Sequence, residues 1–103
     1  DREKLGFPVP VLIAITLVKH QKTDISSFID FLRRTPQIVS YFHVTGVYDF
    51  LLRVNARDIG HLQDFLVHTL TGKEGLNRVE TFLIMEEVHK PILFEYPDSE
   101  RIR

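Results

Sequence analysis

The stretch Ile38–Asn55, IVSYFHVTGVYDFLLRVN, decides the fold. Residues 38 to 44 and 48 to 55 are two strand-length runs rich in β-branched, aromatic and aliphatic side chains. The connection between them is too short for anything but an antiparallel hairpin. With Gly46 and Val47 as its central residues, a type II′ turn is predicted, because only the first central position of that turn requires positive φ. This register sets Thr45 opposite Tyr48, His43 opposite Phe50 and Tyr41 opposite Leu52. A polar cluster, Thr45, Gly46, Tyr48 and Asp49, then sits at the tip between two apolar strands.

A helix is predicted on each side of this hairpin. Upstream, TDISSFIDFLRR places Ile25, Phe28, Ile29 and Leu32 at helical spacing. Thr23 or Asp24 can act as N-cap, Arg33 and Arg34 suit the negative C-terminal end, and Pro36 ends the helix. Downstream, Asp58 caps a helix whose buried stripe is Ile59, Leu62, Phe65, Leu66, Thr69 and Leu70. TGKEG ends it, with Gly72 and Gly75 as candidate left-handed positions.

The first and last strands are apolar on both faces. In residues 9 to 18, Val11, Ile13, Ile15 and Leu17 alternate with Leu12, Ala14, Thr16 and Val18. In NRVETFLIMEEV, Val79, Thr81, Leu83 and Met85 alternate with Glu80, Phe82, Ile84 and Glu86. The resulting order, β-α-β-β-α-β, is the α+β ferredoxin-like arrangement: a four-stranded antiparallel sheet with both helices on one face. The other face is bare yet apolar, so a second copy is expected to cover it, giving a sheet-to-sheet homodimer.

Composition narrows the function classes. The 103 residues, 44% hydrophobic and 26% charged, suit one soluble domain. A net charge of −1, with 13 basic residues scattered along the chain, lacks the positive stripe of a nucleic-acid surface. The absence of cysteine removes disulfides, thiolate nucleophiles and sulfur-bound zinc, and points to an intracellular, cytoplasmic protein. The run VPVLIAITLV is far shorter than a membrane span of about 20 residues, so no membrane association is expected. The chain begins at Asp1 and its only methionine is Met85, which suggests a piece of something longer. Residues 1–8 are read as a hinge or linker, 9–90 as the domain, and 91–103 as a C-terminal arm.

No catalytic or metal constellation emerges. His20, His43, His61, His68 and His89 contain no i, i+4 pair of the zinc-protease kind, so no metal or cofactor is expected. Ser26, Ser27, Ser40 and Ser99 lack a nucleophile-elbow context, and Glu86 and Glu87 point to opposite faces of a strand. At the hairpin tip, Gly46 is explained by turn geometry and Asp49 by local bonding to backbone N–H groups. The same cluster offers N–H groups, two hydroxyls and a carboxylate at short range, a set able to satisfy both ends of an amino-acid zwitterion.

VTGVYDFLLRV, followed by ARDIGHLQDFL and GLNRVETFLIMEEV, resembles the C-terminal effector-binding (RAM) domain of the Lrp/AsnC, or feast/famine, transcriptional regulators. The likeness covers about residues 9 to 90, and DREKLG resembles the hinge that joins this domain to a DNA-binding half. The resemblance implies a homodimer, assembling further to an octamer, that binds an amino-acid effector at clefts between dimers and touches DNA only through a helix-turn-helix absent from this chain. It implies effector contacts at Thr45, Gly46, Val47, Tyr48, Asp49 and Thr81. In this reading N–H groups around Gly46 hold the α-carboxylate and Asp49 the ammonium, while Thr45, Tyr48 and Thr81 complete the polar shell. Val47 departs from the polar or acidic residue of many relatives. Two rivals share the fold. One is a small enzyme similar to haem-precursor decarboxylases, which would draw on Arg53, Arg57, His43 and His61. The other is a dimerisation module with no ligand.

Overall fold

The computed structural model describes residues 9–92. The expected hinge at 1–8 and nearly all of the expected arm lie outside them. The elements are β1 (Val9–Leu17), α1 (Lys22–Arg33), β2 (Ile38–His43), β3 (Phe50–Ala56), α2 (Ile59–Phe65) and β4 (Leu76–Leu83). They form one antiparallel sheet in the order β2-β3-β1-β4, the ferredoxin-like topology expected from the sequence.

One face of this sheet makes the core. Val11, Ile13, Ile15 and Leu17 of β1 and Phe50, Leu52, Val54 and Ala56 of β3 pack against Phe28 and Leu32 of α1, Leu62 and Phe65 of α2, and Leu70. The period-2 alternation of the strands and the 3.6-residue stripes of the helices thus meet in a single layer. Phe50 is fully buried, with its ring edge-on to Phe28 at 4.9 Å and stacked on His43 at 4.6 Å.

The helix ends differ in detail from the sequence reading. The N-cap of α1 is Gln21, and Asp24, three residues on, accepts a hydrogen bond from the Gln21 N–H at 3.1 Å. Asp24 is therefore inside the helix, where its charge favours the positive end of the dipole. Asp58 caps α2 as expected, accepting from the His61 N–H at 2.8 Å. Beyond Phe65 the helix widens into a π-helical turn over Leu66–Leu70, closed by the Thr71 N–H on the Leu66 carbonyl. Ile59, at the first helical position, is exposed and does not belong to the buried stripe. The last strand runs Leu76–Leu83, and Ile84 instead donates its N–H to the Pro10 carbonyl.

The second face carries no helix. Across it, Phe42, Leu51, Ala14 and Glu80 form one row, and Ser40, Arg53, Leu12 and Phe82 the next. Phe42 and Phe82 are exposed, and Leu12 and Leu51 are half-buried. The charged members of these rows are engaged within the chain: Arg53 pairs with Glu87, and Glu80 accepts from the Tyr48 hydroxyl. Thr16, on the same face, has a buried hydroxyl with no partner among the described residues.

Candidate functional site

The hairpin register is the one read from the sequence, with His43 opposite Phe50 and Tyr41 opposite Leu52. The connection is wider than a two-residue turn, because residues 44–49 all lie outside the ladder. Val44 still donates its N–H to the Asp49 carbonyl at 2.9 Å, but the Asp49 N–H goes to the Ile15 carbonyl of β1 instead of back to Val44. The residue just before β3 is thereby diverted to the neighbouring strand. Gly46 has φ +113°, a left-handed backbone that side-chain-bearing residues rarely adopt, so the glycine is required by the chain path alone.

Asp49 anchors the tip to the end of β1. Its Oδ2 accepts from the Leu17 N–H at 2.8 Å and lies 2.9 Å from His20 Nε2. Partial burial pushes the carboxyl up, but the Leu17 N–H and then His20 outweigh it, so the group lies below the usual carboxylate range. Among the described residues Oδ1 takes no partner and is open to a further donor. Tyr48 reaches the other way, donating its hydroxyl to Glu80 on β4. That hydrogen bond, with some desolvation and the negative charge of Glu80, raises the phenol above its ordinary range. Two side chains of the cluster thus pin the loop to β1 and β4. Thr45, Gly46 and Val47 are left exposed at the tip, Val47 at 76%.

Thr81 is not brought to the tip. It lies opposite Ile13 in the β1–β4 register, so its side chain points to the helix face of the sheet, while Glu80, which Tyr48 touches, points to the bare face. Within one chain the candidate site is therefore residues 45–49, with Glu80 and His20 as partners that the sequence reading did not single out. Both lie about thirty residues away along the chain, and no local pattern connects them to the loop.

A second ionic group lies on the bare face. Glu87 accepts from Arg53 and from His89 Nε2, the latter at 2.6 Å. The Arg53 hydrogen bond and then that of His89 hold its carboxyl well below the usual 4.5, at about 2. A carboxylate depressed in the folded state stabilises the fold above its unfolded pKa, and that contribution is lost as pH falls through the folded value. Urea midpoints should therefore decline between pH 4.5 and 2. Glu87→Gln should flatten that decline without removing it, because Asp49 is depressed too. An identical pH profile in the variant would exclude the pairing.

Among the described residues no group of histidine and carboxylate side chains is placed to hold a metal ion, and no helix is long and apolar enough to cross a membrane.

Residues 10–92 match the family model described as the Lrp/AsnC ligand binding domain. The HTH-type transcriptional regulator AldR of Mycobacterium tuberculosis is 32% identical over 88 residues, covering 85% of this chain and 49% of that protein. The transcriptional regulator NMB0573 of Neisseria meningitidis, solved as a complex with L-Met, superposes with a TM-score of 0.75 at 20% identity, over 92% of this chain and 61% of that one. AsnC of Escherichia coli gives 0.75 at 22% identity, over 89% and 61%. The chain spans about half the length of the curated relatives it matches. These relatives are named as regulators, not enzymes, which sets aside the decarboxylase-like alternative. The chain belongs to the Lrp/AsnC family of transcriptional regulators, of which it carries the ligand-binding domain.

Proposed function

We propose that this chain is the amino-acid-sensing and oligomerisation domain of a cytoplasmic transcription regulator. Residues 9–90 form the working unit, 1–8 the hinge and 91–103 an arm. It pairs sheet to sheet as a homodimer, assembles further to an octamer, and takes its effector at clefts between dimers. DNA is bound through a helix-turn-helix that this chain does not contain. Ligand favours one assembly by its differential affinity and so reorients the DNA-binding halves.

The observation that carries this reading is the division of labour in the hairpin. Asp49 and Tyr48 fix the loop on β1 and β4, while Thr45, Gly46 and Val47 stay exposed. A loop held open in this way loses little freedom when a neighbouring dimer closes over it. In the complete site the Gly46 region holds the carboxylate and Oδ1 of Asp49 the ammonium, with Thr45 and Tyr48 beside them. Thr81 enters only from another subunit. Val47 favours an effector with an apolar side chain.

Calorimetric titration with each proteinogenic amino acid, alongside light scattering, tests this. One amino acid is expected to bind and to change the assembly mass. Asp49→Asn keeps an acceptor for the Leu17 N–H but removes the charge, and should weaken binding by about ten- to a hundredfold, the worth of a hydrogen bond to a charged group. Absence of binding at millimolar concentration, with constant mass, would leave a ligand-free dimerisation module.

A further inference from the structure

Asp49 carries two neighbours on one carboxylate oxygen and, among the described residues, none on the other. Its Oδ2 accepts from the Leu17 N–H at 2.8 Å and lies 2.9 Å from Nε2 of His20, which stands in the segment between β1 and α1. The backbone contact is fixed, because Leu17 ends β1 with its side chain in the core. The imidazole is the part that can change its charge. The His20 side chain is 58% exposed against 22% for Asp49, so solvent exchanges protons with the ring while the carboxylate stays in place.

The other charged groups near this pair act differently. His43 of β2 stacks on Phe50 at 4.6 Å and bears on Asp49 through its charge, without a hydrogen bond. Glu80 and Arg78 of β4 bear on Tyr48. Lys19 and Lys22 flank His20 in the chain, and Asp24 of α1 accepts from the Gln21 N–H. Histidine is the side chain whose charge ordinarily changes between about pH 5 and 8, whereas Asp49 is held below the usual carboxylate range and Tyr48 above the usual phenol range. The charge at the tip therefore varies in that span through His20 and His43, and of the two only His20 touches the carboxylate.

We propose, on the reading that Asp49 receives the effector's ammonium, that His20 is a proton-responsive residue of the same site: the effector binds more tightly when His20 is neutral, and its binding releases the His20 proton. A protonated His20 sets one cation against Oδ2, and an ammonium at Oδ1 then meets a carboxylate already balanced, with a like charge behind it. The neutral ring still donates an N–H to Oδ2, so the tip keeps its anchor while the full charge of Asp49 faces the effector. Solvent screens an exposed contact of this kind, which limits the coupling to about three- to tenfold in affinity. The coupling is reciprocal, so the concentration at which the effector is sensed rises by that factor as the pH falls.

The test is calorimetric titration of the chain with each proteinogenic amino acid at about pH 5.5 and about pH 8, on either side of the histidine range. The amino acid that binds should do so about three- to tenfold more tightly at the higher pH, and its heat at intermediate pH should vary with the ionisation enthalpy of the buffer, as proton release requires. His20→Gln keeps an N–H for Oδ2 without a charge, and should bind at the lower pH as tightly as the parent does at the higher. His43→Gln should keep the pH dependence of the parent. In the ligand-free chain, the carboxylate carbon shift of Asp49 should change across that span, and the change should vanish in His20→Gln. Equal binding at the two pH values, a pH dependence that survives in His20→Gln or is lost in His43→Gln, or an Asp49 carbon shift that does not respond, overturns the role of His20 and leaves the hairpin site standing. No binding of any amino acid at either pH overturns both.

Discussion

Phe50→Ala is expected to lower the unfolding free energy by about 3–5 kcal/mol, the usual range for deleting a fully buried aromatic ring. Phe50 is the first residue of β3 and has no exposed surface. Its ring closes the sheet end of the core against Phe28 and supports His43 from beneath, so the surrounding atoms have little freedom to collapse into the space left behind. A domain of this size holds on the order of 5–15 kcal/mol in total, so the loss is a large share of its stability. Phe50→Leu, which keeps most of the volume, should cost roughly 1–2 kcal/mol. Urea denaturation of the three proteins measures both differences. A loss below about 1 kcal/mol in the alanine variant would mean that the hairpin base does not belong to the cooperative core. The same substitution bears on function, because the residue just before Phe50 is the one that anchors the tip.

The pairing of His43 with Phe50 was legible in the sequence because side-chain alternation fixes register, and a slip of one residue would turn Tyr41 and Leu52 out of the core. The breadth of the loop was not. A two-residue turn is the local optimum for TGVY, but the Asp49 N–H and carboxylate both bond to β1, thirty or more residues away. Those two bonds outweigh one more rung of ladder. The reading that Asp49 accepts backbone N–H was right in kind, and the partner it found could be known only once β1 lay beside β3. The N-cap of α1 slipped for a local reason: Asp24 scores well as a cap and also as the third helical residue, and Gln21 before it carries no distinctive signal.

The bare face was legible, and its charges sharpen what it implies. An apolar face interrupted by Arg53 and Glu80 would resist burial if those groups were free. Each is instead engaged by its own chain, Arg53 by Glu87 and Glu80 by Tyr48. A second copy could then cover Leu12, Leu51, Phe42 and Phe82 while Arg53 and Glu80 keep their own hydrogen-bond partners. In a two-fold arrangement the same patch serves both sides.

Leu51→Glu is accordingly expected to break the proposed dimer. Leu51 stands between Phe42 and Ala14 in the row that crosses the sheet, and a carboxylate there has no cation in its own row. Burying it unpaired costs several kcal/mol, which raises the dissociation constant by about a thousandfold or more. In the single chain the position faces solvent on one side, so circular dichroism and the urea transition of the dilute protein should change little. Because burial favours the neutral acid, the dimer should recover as the pH is lowered and the introduced carboxyl takes up a proton. A general loss of fold would not reverse in that direction, since Asp49 and Glu87 destabilise the chain as they protonate. Light scattering across pH distinguishes the two. If the mass of Leu51→Glu at neutral pH equals that of the parent, the sheet face is not the interface, and any assembly must run through the helices or the hairpin.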